Sequence, residues 1–239
     1  MSDLHLSPGT DRGVESPSRG DRYIGPPLLA PALAHVVLFV ASIVVGASAG
    51  VFGRPDTAAG VLTANLAEHP GAARTVAFLQ VASGVALGVF TAAAAAAVRS
   101  RTPRLAGLDI ARFGGYGAGL LLALSGLATW SATEAAAVDG GPAAVKALTL
   151  VSFATGGPGY VALFGLLVAG IAVPLFIARL APRWIGATGM ALAVVAELAL
   201  LSLTTDVLQP LLPLARFPGA LWMLVVAAIL VPRRGVVSR

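Results

Sequence analysis

Apolar residues cluster in six stretches, 28–53, 75–98, 113–138, 160–178, 184–205 and 211–231, divided by connections rich in Pro, Gly and charge. A helix of about 20 residues, rising about 1.5 Å per residue, crosses the roughly 30 Å of a bilayer's hydrocarbon. The pattern therefore predicts an all-α fold: a polytopic membrane helix bundle with six transmembrane helices, occupying residues 28–232. Residues 1–27, rich in Ser, Pro, Gly, Asp and Arg with no apolar period, read as a disordered tail. Residues 233–239 form a second, short tail.

Two of the six stretches depart from the simple pattern. Within the first, Ala47-Ser48-Ala49 before Gly50 resembles a signal-peptidase site. The apolar run is longer than the roughly 7 to 15 residues of a signal h-region, so it reads as an uncleaved span. Apolarity in the fourth begins near Ala144, but Gly156-Gly157-Pro158-Gly159 disfavours a continuous helix. The crossing is placed at 160–178, with 145–155 as either a short interfacial helix or a shallow re-entrant piece.

The connections give the bundle a direction. Of 16 Lys and Arg residues, twelve fall in the two tails and in the connections after the second and fourth spans. The remaining four, Arg54, Arg74, Lys146 and Arg216, fall on the alternate side. Basic residues are retained on the cytoplasmic side, so both termini are predicted to be cytoplasmic. Tyr23, Tyr116 and Trp184 near one boundary and Tyr160 near the other fit interfacial aromatic belts.

Composition agrees with the pattern and narrows the chemistry. A chain 57% hydrophobic and 11% charged, with mean hydropathy +0.86, does not fit a water-soluble domain. Its net charge of +5 lies in no continuous basic run and reads as topology, which excludes nucleic acid as a partner. The dominance of Arg over Lys, with abundant Ala and Gly, fits a high-G+C bacterial genome and places the protein in a bacterial plasma membrane. Absence of cysteine excludes disulfides, thiolate nucleophiles and thiolate-ligated metals. No zinc-helix, phosphate-loop or nucleophile-elbow signature occurs, so no catalytic residue, metal ligand or cofactor is assigned.

Polar groups inside the spans are the candidate chemistry. Glu197, in ALAVVAELALLSL, stands near the centre of the fifth span, where an ionised carboxylate costs at least about 2.5 to 3.5 kcal/mol unless paired, hydrated or protonated. Arg216 on the sixth span, about 8 Å in from Leu211, is its nearest candidate partner. Such a pair reads either as a coupling site for protons or ions or as a static register-fixing bridge. His35, two turns into the first span, is a packing histidine or a titratable group. Glu134 reads as an interfacial carboxylate, and Gln80, Ser83 and Ser125 as interhelical hydrogen-bonding groups. Gly46 and Gly50, Gly84 and Gly88, and Gly115 and Gly119 recur at four-residue spacing, which puts each pair on one face for close packing. They serve packing within the bundle or homodimerisation.

The turn RLAPRWIGATGMALAVVAELALL and the final span LLPLARFPGALWMLVVAAIL resemble an uncharacterised bacterial family of six-helix membrane proteins, over roughly 28–232. That resemblance implies six helices and assigns no residue a role. The expected function is that of a non-catalytic membrane or accessory protein, with lipid and a possible homo-oligomer or membrane partner around it. The alternative is a small proton-coupled transporter or permeation protein using Glu197.

Overall fold

A computed structural model describes residues 27–102, 107–138 and 141–230. The expected tails, Tyr23 and Arg104 lie outside the described residues. Apolar, Ala- and Leu-rich segments satisfy their backbone groups internally as helices, the solution hydrocarbon demands. They form α1 (Leu29–Ser48), α2 (Ala59–Glu68), α3 (Pro70–Arg99), α4 (Gly107–Ala137), α5 (Pro142–Ala154), α6 (Tyr160–Ile177), α7 (Arg183–Ala199) and α8 (Leu211–Ile229). A π-helical segment, Thr155–Gly159, joins α5 to α6, and two short 3-10 turns join α7 to α8. Among the described residues there are no strands, and six helical stretches are long and apolar enough to cross a membrane.

Helix limits depart from the predicted spans for local reasons. The first span stops at Ser48 rather than 53, because Gly50 takes a left-handed φ of +62° that turns the chain. Phe52 then folds back over Gly46, where no side chain stands in its way. Pro70 and Pro142 open α3 and α5 at first-turn positions, where the missing N–H breaks no helical bond. The short α2 was predicted only as connection. Its Leu62 and Leu66, one turn apart, are buried with Val51, Ala73, Ala132 and Val145 in a small second core at that end of the bundle.

α4 is the central helix, packed against α3, α5 and α6; α1 lies on α3, and α7 on α6 and α8. Close crossing of α3 and α4 depends on glycine. A Cβ at Gly119 would stand 2.6 Å from the Gly84 carbonyl oxygen, far inside contact distance, and one at Gly84 would strike the Gly119 carbonyl. Gly115 is filled by Thr91, whereas a side chain at Gly88 would meet nothing. At the lipid-facing surface, Val37, Phe78, Leu120, Val194 and Leu221 are each at least 60% exposed, an arrangement suited to hydrocarbon rather than water.

The bundle has two distinct ends. At one, the mouth, lie the Arg54 loop, α2, the end of α4, the start of α5 and Asp206; the exposed ion pair Arg74–Glu134, 2.9 Å, marks its shoulder. At the other, Tyr116 and Trp184 are exposed, Asp109 pairs with Arg99 and Arg112, and Arg101 donates to the Leu230 carbonyl at the end of α8.

Candidate functional site: a cavity over a broken helix

The fourth crossing is one helix broken in its interior. Three glycines and a proline in Thr155–Gly159 interrupt the α-helical ladder, and Gly157 takes φ −95°, ψ −105°, outside the helical region. The break turns Tyr160 inward, so this residue is 0% exposed rather than an interfacial anchor, a correction to the sequence expectation. Its ring stacks on Phe39 and Phe164, with centroids 5.7 and 5.6 Å away.

His35 is held beneath this break by α3. Its ring nitrogen Nδ1 lies 3.0 Å from the Ser83 carbonyl oxygen, while the Ser83 hydroxyl donates to the His35 carbonyl at 3.0 Å. Because a carbonyl only accepts, Nδ1 carries the proton in this arrangement, and Nε2 accepts from the Tyr160 hydroxyl at 3.2 Å. Every polar atom of the imidazole is thereby satisfied. Ser83 is nine residues from Arg74, so this network sits about 13 Å into the bundle from the mouth's shoulder. His35 thus acts as a three-helix fastener among α1, α3 and α6.

Arg216 lies on the other side of the same aromatic pair. Its guanidinium carbon is 5.4 Å from the Phe39 ring centroid and 5.6 Å from that of Tyr160, within cation–π range. One Nη2–H donates to the Gly156 carbonyl at 2.6 Å, within the π-helical segment. Its Nε is buried without a hydrogen-bond partner. Among the described residues the ion pairs are Arg74–Glu134, Arg99–Asp109 and Arg112–Asp109, so no carboxylate neutralises Arg216.

The expected Glu197–Arg216 pair does not form. Glu197 stands on the exposed face of α7, in an apolar depression with Leu166, Met190, Val194 and Leu201, while α7 buries its small residues Gly186, Gly189, Ala193 and Ala196. The two helices are neighbours, as their short connection predicted, but one residue's step of about 100° along a helix separates a buried Ala196 from an outward Glu197. The structure therefore joins His35 and Arg216 through Phe39 and Tyr160 and leaves Glu197 apart.

Between Arg216 and the mouth lies a cavity of about 690 Å³, within the range of small-molecule sites. Its apolar wall includes Phe39, Ile43, Leu122 and Phe153, and its floor is Gly156, Gly157 and Arg216. A hydroxyl cluster lines another wall: Ser125 donates to the Ser152 carbonyl at 2.9 Å, and Thr129 and Ser152 hydroxyls are 2.8 Å apart. Gln80, only 5% exposed, also lines the space, and its Oε1 has no partner. Arg54, Asp206 and Gln209 stand at the opening. Sequence reasoning marked Gln80 and Ser125 as polar groups between helices, but missed Thr129, Ser152 and the cavity itself. The signal available was the glycine-proline break, since irregular backbone at membrane depth is tolerated where it is buried or lines a cavity.

No protein-family model, curated protein or solved structure matches the chain.

Proposed function

We propose that the chain is a non-catalytic multi-pass protein of a bacterial plasma membrane, a small permeation protein or carrier whose working site is the cavity over the broken helix. Both termini face the cytoplasm in this reading, and the mouth opens to the exterior. The observation that carries it is the coincidence, in one place, of a discontinuous crossing, an open cavity and a partly buried cation without a counter-charge among the described residues. Buried charge in hydrocarbon is costly, and discontinuous helices supply free backbone groups at membrane depth for binding solutes. A bundle that only packed against a partner would gain nothing from either. Glu197 has no part in this site, so proton coupling through it is not included.

Liposome swelling tests the reading. Proteoliposomes holding the wild-type chain should swell faster than empty ones in at least one of a set of small anionic, neutral and cationic organic solutes. Ser152→Trp, which fills the cavity, should abolish the difference. Equal swelling of loaded and empty liposomes in every solute would end the proposal.

A further inference from the structure

We infer that the cavity binds an organic monocarboxylate with an apolar body, its carboxylate held by Arg216; this deepens the reading above and rests on it. Three observations select that chemistry. First, the Arg216 guanidinium is only partly buried, lines the cavity, spends one N–H on a backbone carbonyl and meets no carboxylate among the described residues, so it has donors to offer an anion. Guanidinium and carboxylate match geometrically through two parallel N–H donors, and a charge-assisted bond is stronger than the neutral carbonyl contact it would displace.

Second, charge balance limits the anion. Arg216 is the one basic residue at the floor of the cavity, because Arg54 and Asp206 stand at its mouth and the remaining polar side chains of the lining are amides and hydroxyls. A single cation compensates one negative charge. A compact dianion such as phosphate would leave a charge uncompensated next to Phe39 and Tyr160, at a depth where it is expensive to desolvate.

Third, the polar and apolar parts of the lining are segregated. Polar groups gather at the Arg216 floor and the Ser125, Thr129 and Ser152 wall, while Ile43, Leu122 and Phe153 provide hydrocarbon. An ammonium ligand finds no carboxylate at the floor, since Asp206 stands at the mouth and bonds Gln209 at 2.7 Å. A ligand with a carboxylate head and an aliphatic tail places each part against its complement.

The absence of native cysteine makes a clean test available. Ile43→Cys introduces one thiol on the cavity wall, and Gln209→Cys one at the mouth. In proteoliposomes, a membrane-impermeant maleimide should label both. Hexanoate should slow labelling of the Ile43→Cys thiol by about tenfold at saturation, without slowing the Gln209→Cys thiol to that extent; equal volumes of hexanol, hexylamine or inorganic phosphate should not. Adding Arg216→Gln should remove the protection, and Arg216→Lys should retain part of it. Should Arg216→Gln fail to fold, Arg216→Lys decides, since protection equal to that of the wild type would overturn the role of the guanidinium. Protection by hexanol equal to that by hexanoate, or stronger protection by phosphate, overturns the monocarboxylate and leaves the cavity reading standing. Labelling at Gln209→Cys with none at Ile43→Cys shows instead that the cavity is closed to solutes and overturns both.

Discussion

At the scale of single residues, the polar groups within the spans divide by whether the fold supplies them with partners. His35 has all of its ring bonds made, so replacing it should destabilise rather than alter binding. His35→Leu is expected to cost about 1 to 3 kcal/mol, since it orphans the buried Tyr160 hydroxyl and strips the Ser83 carbonyl of a donor. Tyr160→Phe should cost about 1 kcal/mol, and the double variant less than the two costs added, because they share one bond. Unfolding of the purified protein in a denaturing detergent titration measures all three. Glu197 gives the opposite expectation. It makes no bond in the structure and faces outward, so Glu197→Leu should leave stability unchanged or raised in the same titration and leave the protection of Ile43→Cys by hexanoate intact. Any fall in stability would show that Glu197 meets a partner outside this chain. The sequence made His35, Arg216 and Glu197 conspicuous, since each is a polar residue in a run of hydrocarbon. Which pairs form was not legible, because adjacency along the chain says nothing about the rotation of a helix.

Elements are governed here by where side chains are missing. The α3–α4 crossing brings backbone against backbone at Gly84 and Gly119, so any side chain at either position forces the helices apart. Gly119→Leu is expected to destabilise by more than about 3 kcal/mol or to prevent assembly, while Gly88→Ala, pointing into open space, should change stability by less than about 0.5 kcal/mol. A monodisperse Gly119→Leu protein with wild-type stability would refute the crossing. Gly189 plays a similar part for α7 and α8: a Cβ there would lie 2.5 Å from the Trp222 ring, whose indole N–H donates to the Ile185 carbonyl at 2.8 Å. Four-residue glycine spacing was visible in the sequence, yet the members of a pair were used differently. Gly46 receives Phe52 and Gly50 makes a turn, tasks that depend on what arrives from elsewhere in the chain. The ten-residue α2 escaped prediction because it is too short to span and owes its apolar face to two leucines that acquire partners only after α3, α4 and α5 assemble.

For the whole molecule, the two ends of the bundle should lie on opposite sides of the membrane. Single cysteines at Pro55 and Gln209 are expected to react with an impermeant maleimide added to intact cells, and one at Ala181 only after permeabilisation. The reverse pattern would invert the proposed orientation; labelling of all three from outside would refute the crossing number. That six helical stretches among the described residues are long and apolar enough to cross was determined by the sequence alone, because backbone in hydrocarbon can bond only to itself and each crossing consumes about 20 apolar residues. The sequence marked where the fourth stretch is interrupted, through its glycines and proline, but began the crossing at Tyr160, whereas the helical stretch runs from Pro142 to Ile177 with the interruption inside it. Tertiary structure alone decided which face of each helix turns inward, and so placed Arg216 over the break and Glu197 toward lipid. The reason is that a span apolar around most of its circumference loses little by rotating in lipid, and only close packing of glycines, aromatics and hydrogen-bonded pairs sets its angle.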